Sequence, residues 1–179
     1  MKKILLFMLL MATPCLAANF SVQSSSWQDD QTMKDAYVFN SFGCSGANNS
    51  PQVSWSGAPE GTKSFAVTVY DPDAPTGSGW WHWTIFNIPA DVTQLDEGIS
   101  SDATKLPTGA VQGRTDFGKP GYGGACPPLG DKPHRYILTV YALKTDKIVL
   151  DENASGALVS YYLNQNSLAK ASLTVKYGR

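Results

Sequence analysis

The chain has 179 residues, 42% hydrophobic and 16% charged, with a formal net charge of −1 and a pI near 6.1. That length and balance fit one globular domain and exclude a disordered or collagen-like chain. No basic run or charge block interrupts the sequence, so neither nucleic acid nor an anionic membrane surface is an expected partner.

In chain order, the first feature is an export signal. Lys2 and Lys3 form a positive start, Ile4 to Met11 an apolar stretch, and Cys15-Leu16-Ala17 ends on a small residue. Cleavage is expected after Ala17, with Ala18 as the alternative. That leaves a single domain over 18–179 whose charge, without the two lysines, is −3. The apolar stretch is too short to span a membrane. Cys15 behind it also fits a lipoprotein signal, although Pro14 stands where a small residue is expected. The pattern points to a bacterial periplasm, with release from the cell left open.

Past the signal the pattern is mostly strand. Short candidates are Phe20–Ser24, Tyr37–Phe39, Val53–Trp55 and Ala110–Gly113, and Leu173–Tyr177 closes the chain. Ser64–Tyr70 is β-branched and aromatic, bounded by Gly61 and Pro72, and Trp81–Ile88 is similar and ends at Pro89. Arg135–Leu143 is the longest apolar run and predicts a central strand. One helix is predicted over 154–166, capped by Asp151, with Leu158, Tyr161, Tyr162 and Leu168 as its apolar face. Strands with one late helix predict a mostly-β antiparallel sandwich. Between two strands, Arg114 to Lys132 reads as a long Gly- and Pro-rich loop, a feature more often functional than incidental.

Cys44 and Cys126 remain after the signal. In an oxidising compartment an even pair reads as a disulfide, with two buried free thiols as the alternative.

The chain's two histidines lie in segments where a loop meets a predicted strand: Asp71-Pro72-Asp73-Ala74-Pro75 leading to Trp80-Trp81-His82-Trp83, and Gly130-Asp131-Lys132-Pro133-His134-Arg135-Tyr136. Pro72 and Pro75 fix the backbone that carries Asp71 and Asp73. A carboxylate beside an imidazole fixes its tautomer and favours its charged form. Two such rings with the Tyr136 hydroxyl would form a donor cluster suited to an anion. Backbone N–H groups of Gly121 to Gly124 would add to it, and Trp80, Trp81, Trp83 and Tyr122 would form an aromatic rim. Blander readings stand beside these: an Asx turn at Asp71, core tryptophans, and Arg135 as an ion-pair partner of Asp71 or Asp73.

Together these segments resemble the phosphatidylethanolamine-binding protein family, also called the Raf kinase inhibitor family. The resemblance rests on Asp-Pro-Asp-Ala-Pro, the Trp-x-His stretch, and Gly-x-x-x-His-Arg-Tyr opening a strand. Phe42-Gly43-Cys44-x-Gly46-x-Asn48-x-Ser50-Pro51 and Thr115-Asp116-Phe117-Gly118-Lys119-x-Gly121-Tyr122 are similar to the bacterial branch, and the likeness runs from about Phe20 to Tyr177. It implies a sandwich with an anion pocket of Asp71, Trp80, His82, His134 and Tyr136, with Tyr122 at its rim and Pro75, Asp73 and Arg135 in support. It implies phosphate, carboxylate or phospho-headgroup ligands. It extends to modulation of a protein partner, as in kinase or protease inhibition or an effect on host neutrophil migration. Trp81 stands where animal relatives often carry a second histidine, Cys126-Pro127-Pro128 lengthens the loop before His134, and the chain stops at Arg179 just past a strand, where animal relatives have a helix. A homodimer is compatible with the pattern but not required by it.

No serine sits in a nucleophile-elbow context, so the expectation is a binding protein without catalysis, cofactor or metal. The alternative is a metal-dependent or acid–base hydrolase using His82, His134, Asp71 and Asp73. The two histidines lie 52 positions apart and show no short metal-ligand spacing.

Overall fold

A computed structural model describes residues 19–179; the expected signal segment, 1–17, and both cleavage points lie outside the described residues. The strands β1 (Ser21–Gln23), β2 (Val53–Ser56) and β5 (Gln94–Leu95) make a small sheet in the order β1-β2-β5. The strands β3 (Ser64–Asp71), β4 (Trp80–Pro89), β6 (Val111–Gln112), β7 (His134–Leu143) and β8 (Ser167–Tyr177) make a larger one in the order β6-β4-β3-β7-β8. Every strand pairing is antiparallel. The one helix among the described residues, α1, covers Gly156–Asn166.

The large sheet is buried on both faces. One face meets the small sheet through Val67, Trp83, Leu138 and Val140 against Val53 and Trp55. The other meets α1 through Ala66, Phe86 and Leu143 against Val159 and Leu163. Covered on both sides, β3 is buried along almost its whole length and shows no in-out polar alternation. At Gly156, any Cβ would collide with the Trp81 ring, so the helix starts flush against β4.

Several expected elements shift. The middle strand is β3, and Arg135–Leu143 falls within β7, between β3 and β8. Tyr37–Phe39 is not a strand: a 3-10 turn over Asp35–Tyr37 precedes a lone bridge from Val38 to Ala125. The helix is capped by Ser155, whose Oγ accepts from Leu158 N–H, while Asp151 caps a separate turn at Asn153. Its buried face is Gly156, Val159 and Leu163, spaced by about one turn, and the expected apolar face of Leu158, Tyr161 and Tyr162 points to solvent, with Leu168 beyond in β8 exposed too. β8 follows the helix without a loop and begins six residues earlier than expected, at Ser167 rather than Leu173.

Candidate ligand-binding pocket

Three strand ends meet at one edge of the large sheet. β3 ends at Asp71, which pairs with Trp80 at the start of β4, and β7 begins next to it at His134. Asp71 is 3% exposed and fully employed. Its Oδ1 accepts from Asp73 N–H (2.8 Å) and Ala74 N–H (3.1 Å), and its Oδ2 accepts from His134 Nδ1–H at 2.8 Å. The turn that Pro72 and Pro75 stiffen thus aims one carboxylate oxygen at the imidazole. Asp73 turns outward and takes a two-pronged bond from Arg135, at 2.9 and 2.7 Å, plus the Arg135 backbone N–H at 2.9 Å. Those bonds hold the Asp73 carboxyl well below the usual range, at about 2.

His82 arrives by a different device. Val69 pairs with Trp83 and Tyr70 with Trp81, so His82 is an extra residue in β4. Such a bulge re-aims side chains. Here His82 lines the pocket while Trp83 continues into the core. His82 Nδ1 bonds the Gly123 carbonyl at 2.7 Å; a carbonyl only accepts, so Nδ1 carries the hydrogen and Nε2 is left as an acceptor. Burial pushes the imidazole below its usual value and keeps it neutral. The rings of His82 and Tyr136 meet edge to face, 5.1 Å apart.

Loops build the other wall. Asp116 grips β4, accepting from Trp81 N–H at 2.7 Å and donating its own N–H to Trp81 O at 3.1 Å. This lays Phe117 beside Trp80 and His82, at centroid separations of 5.3 and 5.4 Å. Gly123 must lack a side chain because Phe117 occupies that space. Cys44 and Cys126 form a disulfide with Cα atoms 5.9 Å apart, joining the Phe42 loop to Pro127 and Pro128. Arg179 adds bonds from Nε to Pro127 O (2.7 Å) and from Nη1 to Gly43 O (2.9 Å).

Floor and wall enclose a cavity of about 200 Å³. Each imidazole is anchored through Nδ1. His82 Nε2 has no partner among the described residues, and that of His134 has only Asp131 Oδ2 at 3.4 Å. The Tyr136 hydroxyl and Trp80 Nε1–H are buried without a partner. Burial, with Asp71 nearby, pushes the Tyr136 hydroxyl well above its usual value, so it remains a donor. A buried donor without an acceptor is costly, by about 1–3 kcal/mol, and two beside one cavity mark a place where a ligand's acceptors would be favourable.

The structure therefore gathers Asp71, Pro75, Trp80, His82, His134 and Tyr136 around one cavity. Tyr122 is not among them. Its ring packs on Trp83 in the core and its hydroxyl donates to Tyr37 O at 2.8 Å. The N–H groups of Tyr122, Gly123 and Gly124 are also spent elsewhere, on Ser100, His82 O and Asn48. Trp81 packs on Tyr70, and Trp83 is core, so Trp80 alone of the three supplies the rim. Asp73 and Arg135 brace the Asp71 turn from outside. Among the described residues no group of three His, Cys, Asp or Glu side chains is arranged to hold a metal ion, and Asp73 faces Arg135. The sequence reading gave no role to Phe42, Phe117, Pro127 and Pro128, which form the wall. Phe42 and Phe117 stand in the segments resembling the bacterial branch, but nothing local says that two phenylalanines 75 positions apart (117 − 42) come together.

Among the described residues no helix is long and apolar enough to cross a membrane. The sequence profile described as phosphatidylethanolamine-binding protein matches residues 23–178. The YbcL protein of Escherichia coli is 63% identical over 163 residues, 90% of this chain and 88% of its own length. The YbhB protein of the same organism is 51% identical, covering 86% of this chain and 97% of its own. The crystal structure of E. coli YbcL, described as a new member of the mammalian PEBP family, superposes with a TM-score of 0.89 at 61% identity, covering 90% of this chain and 99% of that one. A phosphatidylethanolamine-binding protein homologue from Chlamydia trachomatis follows at 0.73 and 27% identity, covering 89% of this chain and 97% of that one. The chain belongs to the phosphatidylethanolamine-binding protein family.

Proposed function

We propose that this protein is an exported, non-catalytic binding protein for a small oxyanion, such as a phosphate, carboxylate or phospho-headgroup, and that the bound state modulates a protein partner. The observation that carries the reading is the pair of unpartnered buried donors, Tyr136 O–H and Trp80 Nε1–H, beside two anchored imidazoles. A protonated oxyanion suits this set, since it accepts from Tyr136 and offers a hydrogen to His82 Nε2. The periplasmic location rests on the signal read over 1–17. The non-catalytic reading draws on two lining groups: the Thr76 hydroxyl donates to Gly79 O and Cys126 is held in a disulfide, so neither is a free nucleophile.

Calorimetric titration with inorganic phosphate tests the reading. Saturable binding to the wild type should be lost in His134→Ala; equal affinity in that variant would sink it. The Asp71–His134 pair also has the form of an oriented general base, which favours a second, hydrolytic reading. Turnover of a phosphomonoester that depends on His134 would select that alternative.

A further inference from the structure

We propose that the loop-built wall of this pocket is a subsite for a flat apolar substituent on the anion, so that an aryl phosphate is preferred to inorganic phosphate and to phosphoethanolamine. This rests on the anion reading above and adds to it the chemistry of the substituent.

Phe42 carries the inference. It lines the cavity yet is 66% exposed, so its ring contributes little to the core. Its φ is +56°, a left-handed conformation that bulky side chains rarely adopt, and Gly43 continues it at +79°. Strain of this kind persists only where the surroundings enforce it. Here the enforcing ties are visible: the disulfide at Cys44 and the Arg179 guanidinium on Gly43 O. The fold thus holds a large apolar ring in water at the pocket mouth, against its backbone preference.

The surroundings offer apolar contact to a ring and no unengaged carboxylate to an ammonium group. Phe42 lies 5.8 Å from Phe117, which is backed by Phe39 stacked at 4.2 Å. Pro127 and Pro128 also line this part of the cavity. The acid among the described lining residues is Asp71, whose oxygens already serve Asp73, Ala74 and His134. An ethanolamine nitrogen would therefore lose water without gaining a carboxylate. An aryl ring would cover the exposed face of Phe42 and gain apolar burial and edge-to-face contacts.

The test titrates inorganic phosphate, phenyl phosphate and phosphoethanolamine into the wild type, His134→Ala and Phe42→Asn. Asparagine tolerates the left-handed backbone, so Phe42→Asn removes the ring without adding backbone strain. Phenyl phosphate should bind about tenfold more tightly than phosphate. Phe42→Asn should erase most of that preference, read as the ratio of the phosphate Kd to the phenyl phosphate Kd. A preference that survives Phe42→Asn, or phosphoethanolamine binding more tightly than phenyl phosphate, overturns the subsite. Phosphate binding that needs His134 but shows no aryl preference removes the subsite and leaves the anion reading standing. If none of the three binds, both fall.

Discussion

The floor and the wall of the pocket are built by opposite means. The floor is made by strand ends: Asp71, His134 and Tyr136 stand on paired backbone, and a 2.8 Å hydrogen bond ties the first two. The wall is made by loops, held by one disulfide, one C-terminal arginine and the stacking of Phe39 on Phe117. A floor of this kind fixes the position of charge and hydrogen-bond donors. A wall of this kind fixes shape, and it can change while the floor stays intact. On the proposed reading, recognition of an anion would belong to the first and selection among anions to the second.

The largest expected effect separates the two most cleanly. Replacing both Cys44 and Cys126 by alanine releases an 82-residue separation, which chain-entropy reasoning values at about 4 kcal/mol. Urea unfolding should register a loss of that order, while phosphate affinity under folding conditions stays near wild type. Parallel loss of phosphate binding in the folded variant would erase the distinction between floor and wall.

Asp71→Ala should come next, at about 3 kcal/mol, because it strands His134 Nδ1–H and the N–H groups of Asp73 and Ala74 in a buried site. Urea midpoints and phosphate titration should both move. A stable variant that still binds phosphate would mean the floor does not depend on its carboxylate.

The smallest effect concerns pH. Because burial lowers the His82 pKa from its usual 6.5, the unfolded chain takes up a proton first as pH falls. Stability is fully present above about 6.5 and is lost as pH drops toward the folded-state value, by at most about 1.4 kcal/mol per unit. His82→Asn keeps a donor for Gly123 O but does not titrate, so it should flatten the urea midpoint between pH 7 and 5. An unchanged slope would place the titration elsewhere.

The same contrast decides what the sequence disclosed. The floor was legible because its residues sit in two short segments where proline and strand signals fix their direction. The sandwich was legible because apolar runs and turn residues are local. The wall was not, since Phe42 and Phe117 converge only through a disulfide and a loop clamp on Trp81. Tyr122 was misplaced for a related reason: Gly121 to Gly124 looks like an anion cradle, but its N–H groups serve His82, Asn48 and Ser100. The loop's task is to orient His82, not to hold the ligand. The bulge at His82 has no sequence mark either, because alternation alone would have put Trp83 and His82 on opposite faces.

The most direct check is a crystal structure of the protein saturated with phosphate. One anion is expected in the cavity, accepting from the Tyr136 hydroxyl and lying within hydrogen-bond distance of Nε2 of His82 and of His134. A cavity that stays free of the anion at saturation, or phosphate bound only at surface lysines, would contradict it.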